Sequence, residues 1–132
     1  MMHKSINCIS ILSMMLLVSV SPLEAYTITI NSPAANESIP AGMTVNVDGQ
    51  IGWVEDVEPR PNGAIAYLYT SSGTLYSSST CSLNSGGATE GFVTSTALDV
   101  PKTSRTVTIK AKANVNGTIV VSTSQQNPTS NN

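Results

Sequence analysis

The chain has few of the residues on which most enzymatic chemistry depends. Its 132 residues include one histidine, two cysteines, one tryptophan and one phenylalanine, and only 11% of them are charged. So few charges argue against a coiled coil, a charged disordered segment and a nucleic-acid-binding protein. The length is enough for one hydrophobic core, and we expect a single domain.

The N-terminal residues have the three-part layout of a secretory signal peptide. Residues 1–4 form a short basic segment, residues 9–20 are mostly apolar, and residues 21–25 form a polar segment that ends in Ala25. The apolar run is too short for a membrane anchor, which needs about 20 residues. We predict a cleavable signal peptide at residues 1–25 and export to the periplasm or the exterior, without insertion into the membrane.

Loss of this leader would remove both His3 and Cys8, so that Cys81 becomes the only cysteine and no histidine remains. Ser-His-Asp and Cys-His catalysis would then lack their general base, and histidine-ligated or cysteine-rich metal sites could not form. The leader also carries Lys4 and Glu24, so five cations and seven anions remain and no basic patch is expected. We therefore predict no enzymatic activity, no cofactor and no nucleic-acid partner.

Alternation of apolar and polar residues dominates the rest of the chain. From 106 to 115, every odd position is apolar and every even position is polar, which is typical of a strand with one buried face. In 64–70, Ala66 and Leu68 alternate with Tyr67 and Tyr69, and this pattern favours a central strand. The predicted strands are 26–30, 43–51, 64–70, 74–80, 91–98, 106–115 and 118–124. They predict an all-β antiparallel sandwich over 26–124, followed by a flexible polar tail at 125–132.

The hairpin around Asn116-Gly117 allows a sharper prediction. A two-residue turn would place Val121 opposite Lys112, on the polar face of the preceding strand. A three-residue loop would instead place Val121 opposite Ala111, on the apolar face, so burial favours this longer loop. The longer loop requires a positive φ at Gly117.

The chain resembles bacterial immunoglobulin-like domains in two places. Near its beginning, Ile30-Asn31-Ser32-Pro33 is followed by the spacing of Gly42, Val45, Val47 and Gly49. Near its end, the pattern of 107–113 is followed by Asn116-Gly117. The resemblance implies a sandwich of about seven strands and implies little about function. Unlike antibody domains, a chain with Cys81 alone could form no internal disulfide.

One acidic cluster, formed by Glu55, Asp56 and Glu58, follows Trp53 along the chain. These carboxylates could bind Ca²⁺ together with Asp48, or in principle serve glycoside hydrolysis. Their spacing matches no calcium-loop signature, and a solvated acidic loop is the simpler interpretation.

Three other features each have two interpretations. Trp53 either closes one end of the sandwich or is an exposed platform for a sugar or a protein. The Tyr67 and Tyr69 pair either packs across strands or forms a ligand platform. Cys81 is either a buried free thiol or links two chains into a dimer; otherwise we expect a monomer.

These features lead us to expect an exported, non-enzymatic binding or adhesion domain that contacts a protein partner. The expected contact is the loop 52–63, which carries Trp53, the acidic cluster and Arg60. The alternatives are a carbohydrate-binding module that recognises surface glycans, an inhibitor of a secreted hydrolase, and a structural subunit of a surface assembly.

Overall fold

A computed structural model describes residues 26–86 and 89–130, so the predicted signal peptide lies outside the described part of the chain. All regular elements in that part are strands, and none of it forms a helix long and apolar enough to span a membrane. The strands are β1 (Thr27–Ser32), β2 (Ile39–Pro40), β3 (Thr44–Val45), β4 (Asp48–Gly52), β5 (Gly63–Tyr69), β6 (Leu75–Gly86), β7 (Thr89–Thr94), β8 (Leu98–Asp99), β9 (Thr106–Val115) and β10 (Thr118–Ser130).

Eight of these strands form one sheet in the order β1-β4-β7-β6-β5-β9-β10-β2, and β3 pairs with β8 in a small second sheet. Seven strands have five or more residues, and all pairings among them are antiparallel. The predicted all-β class and the number of main strands are therefore confirmed. The predicted strand 43–51 is split into β3 and β4, and β6 is longer than the pattern indicated.

Strand β6 joins the two layers of the sandwich. Its first part, Leu75 to Cys81, pairs with β5, whereas Cys81 to Gly86 pairs with β7. One layer thus contains β1, β4 and β7, and the other contains β5, β9 and β10. Strand β1 also contacts β9 and β10, so the sheet folds back on itself. Strands that switch layers in this way are a known feature of β-sandwiches.

The core lies between the inner faces of the two layers. It is one continuous cluster, to which Ile51 of β4, Phe92 of β7 and Val47, just before β4, contribute from one layer. The opposite layer contributes inward residues of β5 and β9. The alternation predicted for 106–115 is confirmed, because the five apolar side chains of β9 are buried and the five polar ones are half-exposed.

The hairpin between β9 and β10 corrects the predicted loop. Thr118 pairs with Val115, so the turn contains only Asn116 and Gly117, whose φ angles are 53° and 87°. These positive angles are those of a type I′ turn. The three-residue loop is therefore wrong, although the positive φ of Gly117 is observed. A bulge in β10 shifts the register instead and places Val121 opposite Ala113.

The C-terminal residues also differ from the prediction. Residues 125–130, expected to form a flexible tail, continue β10 and pair with β9 as far as Pro128 opposite Thr106. The backbone N–H of Thr129 donates to the carbonyl of Arg105 at 2.8 Å, and that of Asn36 donates to Gln126 at 3.0 Å. These residues are polar, and only their tertiary partners explain their order.

Candidate functional site

Trp53 lies directly after β4 and closes one end of the sandwich. It is only 8% exposed and packs with Tyr26 and Val115 in a small second apolar cluster. The Tyr26 hydroxyl donates a hydrogen bond to the carbonyl of Pro59 at 2.7 Å, which holds the loop over this cluster. Burial raises the pKa of Tyr26, with a smaller contribution from the carboxylate of Glu58. The structure therefore favours the interpretation of Trp53 as a plug over that of a platform.

Arg60 joins the same loop to β7. Its guanidinium lies 5.1 Å from the Trp53 ring centroid, and its Nη1 donates to Glu90 Oε2 at 3.1 Å. The Glu90 side chain is 4% exposed and that of Arg60 is 46% exposed. Sequence reasoning missed Glu90, although it alternates with Phe92 on the inward face of β7. Arg60 is thus engaged in holding the loop against the sandwich.

The acidic cluster does not assemble into a metal site. Glu55 and Asp56 are exposed, and Glu58 Oε1 accepts a hydrogen bond from the Val54 backbone at 2.8 Å. Asp48 begins β4, whereas the cluster follows its end, about 13 Å further along an extended strand. Within 26–86 and 89–130, no group of three or more histidine, cysteine, aspartate or glutamate residues could hold a metal ion. The structure therefore does not bring the predicted calcium ligands together.

A different set of side chains converges on the outer face of β5. Tyr67 and Tyr69 point away from the core, are half-exposed, and have ring centroids 6.3 Å apart at an interplanar angle of 34°. The Lys112 ammonium lies 5.1 Å from the Tyr67 ring centroid, and the Lys110 ammonium lies 5.1 Å from that of Tyr69. We call these four residues the tyrosine–lysine face.

The register between β5 and β9 produces this arrangement. Tyr67 is directly opposite Lys110, and Tyr69 is opposite Thr108. Each lysine therefore lies over the ring of its diagonal neighbour, where the negative face of the aromatic quadrupole attracts a cation. The alternation of tyrosine in one strand and lysine in another is visible in the sequence, but their proximity is not.

Charge is unevenly distributed between the layers. Strands β5, β6, β9 and β10 contain Lys110 and Lys112 and no aspartate or glutamate. The carboxylates of the described residues all lie elsewhere, at Glu37, Asp48, Glu55, Asp56, Glu58, Glu90 and Asp99. The tyrosine–lysine face is thus cationic, although the chain has a net charge of −2.

Cys81 lies where β6 passes from one layer to the other. Its side chain is half-buried and packs against the core. Burial raises the pKa of the thiol to about 11, and a hydrogen bond with the backbone of Ala66 opposes this effect. A thiol with this pKa is protonated at neutral pH and is a weak nucleophile.

A groove of about 400 Å³ lies at the end of the sandwich beside the start of β6. Met43, Tyr76, Asp99 and Lys102 contribute to its walls. Tyr76, on β6, is 50% exposed, which is more than Tyr67 or Tyr69, and it lies outside the tyrosine–lysine face. Tyr76 and Lys102 are therefore suitable controls for substitutions in that face.

Comparison with known proteins finds no family model that matches the chain and no similar curated protein. The tyrosine–lysine face is thus the feature of the described residues from which a function is best inferred.

Proposed function

We propose that the chain is an exported, non-enzymatic immunoglobulin-like domain that binds its partner through the tyrosine–lysine face. The observation that carries this proposal is the pair of half-exposed rings of Tyr67 and Tyr69 on the outer side of a central strand. Tyrosine is well suited to binding because it offers a large amphipathic contact with few rotatable bonds.

The position of the two rings supports a role in binding. Strand β5 is hydrogen-bonded to β6 on one side and to β9 on the other, so Tyr67 and Tyr69 stand on a rigid support. Binding residues are more precisely placed on such strands than on loops. The core is formed by the opposite face of β5, through Ala64, Ala66 and Leu68, and the outward tyrosines are not part of it.

The loop 52–63 is less suited to this role than its composition indicated. Trp53 is nearly buried, and Arg60 contacts both Trp53 and Glu90. Their side chains therefore stabilise the end of the sandwich. This moves the proposed contact from the loop to the outer face of the sheet.

The immunoglobulin-like assignment and export are part of the same proposal. In support, Ile30 belongs to β1, Gly49 lies in β4, and the alternating residues of the second motif form β9. The strands that carry these motifs thus contribute to one core. The predicted leader and the absence of histidine from residues 26–132 support an exported protein that acts by binding.

Retention on cell-surface material tests this proposal. The mature protein is mixed with surface fractions of the source organism, separated into membranes, cell-wall material and released polymer, and the bound fraction is measured. We expect retention on one fraction and its loss in the double variant Tyr67→Ser, Tyr69→Ser. The control is Tyr76→Ser, which removes an exposed tyrosine from β6. Equal retention of both variants, or no retention by any fraction, would overturn the proposal.

A further inference from the structure

We infer that the ligand of the tyrosine–lysine face is an acidic polysaccharide built from uronate residues. This inference rests on the proposed function, because it names the ligand of the same surface. Its basis is the pairing of each aromatic ring with one ammonium group and the absence of carboxylates from the four strands that form this side of the sandwich.

The face consists of two equivalent units. In each unit one tyrosine ring has one lysine Nζ at 5.1 Å from its centroid. A uronate residue offers the matching pair of groups, because its pyranose ring has a face of C–H bonds and also carries one carboxylate. The C–H bonds pack on the electron-rich face of the tyrosine, and the carboxylate pairs with the ammonium. The flexible stem of lysine allows the ammonium to move from the ring to the carboxylate.

The two units lie side by side, with ring centroids 6.3 Å apart. A chain of uronates can therefore contact both units with neighbouring residues, and the second contact becomes intramolecular once the first has formed. The 34° angle between the rings favours a ligand whose successive residues are rotated relative to each other.

The charge distribution favours a polyanion. Strands β5, β6, β9 and β10 present two lysines and no carboxylate, so an anionic polymer meets no like charge on them. Complementary charge accelerates encounter and discriminates between partners. A neutral polysaccharide offers neither ammonium group an anion to pair with.

The polar residues around the rings favour a carbohydrate over an acidic protein surface. Exposed hydroxyl and amide side chains lie at outward positions on both sides of the tyrosines: Ser78 and Thr80 on β6, and Ser124 and Gln126 on β10, beyond β9. Such groups hydrogen-bond to sugar hydroxyls. Protein interfaces are instead depleted of lysine and serine at their centres.

The test is isothermal titration calorimetry of the mature protein with oligogalacturonate and oligomannuronate. Neutral cello-oligosaccharide is the carbohydrate control, and poly-L-glutamate is the control for charge without a sugar ring. We expect binding of at least one uronate oligomer, no measurable heat with the neutral oligomer, and weaker binding of poly-L-glutamate per carboxylate. Binding of the uronate should weaken when the salt concentration rises.

Variants separate the contribution of the two lysines to uronate binding from that of the two tyrosines. Lys110→Ala with Lys112→Ala should weaken uronate binding roughly tenfold and reduce its salt dependence. Tyr67→Ala with Tyr69→Ala should weaken it by about tenfold while the salt dependence remains. Lys102→Ala and Tyr76→Ala are the matched controls and should change the affinity by less than about twofold. Circular dichroism and thermal unfolding report whether each variant is folded.

Failure of this inference is distinct from failure of the proposed function. Equal binding of poly-L-glutamate, tyrosine variants with unchanged uronate affinity, or no binding of either uronate would overturn the inference. The proposed function would still stand if retention on the surface fraction required Tyr67 and Tyr69. Retention that is lost after protease treatment of the surface fraction, and that added uronate oligomer does not reduce, would identify a protein partner. This result would also overturn the inference.

Discussion

The side-chain amide of Asn127 donates a hydrogen bond to the backbone carbonyl of Ala34 at 2.7 Å. Asn127 is completely buried, and its Nδ2 also donates to the carbonyl of Glu37 at 3.4 Å. The last strand thereby holds the loop that follows the first one. We expect Asn127→Ala to reduce the free energy of unfolding by about 1–3 kcal/mol, because it removes a completely buried side chain together with its hydrogen bonds to the loop. Urea denaturation measures the change.

Gln126→Ala is the control for this substitution, because the neighbouring Gln126 side chain is exposed and accepts a hydrogen bond from Thr108 Oγ1 at 3.1 Å. It should change stability by less than about 0.5 kcal/mol. Removal of 125–132 should destabilise the protein at least as much as Asn127→Ala. If that truncation left stability unchanged, residues 125–130 would be a dispensable tail after all.

Trp53→Ala should destabilise the domain by about 3 kcal/mol, because it removes a large buried side chain from the cluster with Tyr26 and Val115. Thermal unfolding followed by circular dichroism measures the loss. Val57→Ala, in the same loop, is the control, because Val57 is 76% exposed and should be almost neutral. A stable Trp53→Ala variant would contradict the role of Trp53 as a plug.

The Arg60–Glu90 pair predicts a measurable coupling. Arg60→Ala leaves a nearly buried carboxylate without this cation and should cost about 1–3 kcal/mol. The half-exposed position of Arg60 keeps the cost below that of a fully buried pair. In the background of Glu90→Gln, the same substitution should cost less. A double-mutant cycle measures the difference, and additive effects of the two changes would show that the pair does not contribute.

Gly49 lies where a larger residue would clash with its neighbours. A Cβ at this position would overlap the backbone carbonyl oxygen of Thr29 and lie 2.7 Å from Cζ of Phe92. We expect Gly49→Ala to destabilise the domain by about 3 kcal/mol, because a paired backbone cannot move aside as a flexible side chain can. Gly91→Ala, in the neighbouring strand β7, is the control, since its nearest atom would be 3.7 Å away. Chemical denaturation of both variants should separate them clearly.

The Cys81 thiol predicts an unusual pH dependence of alkylation. With its pKa raised to about 11, the rate of reaction with iodoacetamide should continue to rise about tenfold per pH unit up to pH 10. In the denatured protein the rate should level off near pH 9. Since the folded pKa is above the unfolded one, the free energy of unfolding should fall as the pH rises from 9 to 11. A plateau near pH 9 in the native protein would contradict the burial of the thiol.

Much of the fold followed from alternation along the chain. The inward positions of β9 and the all-β class were predicted correctly, because burial of one sheet face selects every second residue. The central position of β5, between β6 and β9, was also predicted. The hairpin loop was predicted wrongly, because two arrangements can pair the apolar residues of the two strands. One is a longer loop, and the other is a short turn followed by a bulge. Both place Val121 opposite an alanine of β9, either Ala111 or Ala113, so hydrophobicity could not decide between them.

The candidate site was less predictable than the fold. Tyr67 and Tyr69 were identified from their positions on one strand, but the lysines over their rings were not. Trp53 and Arg60 were expected in a binding loop, whereas they hold that loop against the sandwich. A sequence pattern assigns a residue to a face of its own strand. It does not say which strand lies beside it or what covers it.

The order of residues was enough to establish which side chains of β9 face inward and which residue types are missing from 26–132, because both depend only on periodicity and composition. Three outcomes depended on the tertiary structure: the placement of Lys110 and Lys112 over two tyrosines, the pairing of Arg60 with Glu90, and the incorporation of Asn127 into the last strand. Each joins residues from different strands or loops, and such contacts are set by register and by the folding of the sheet onto itself, which no local pattern encodes.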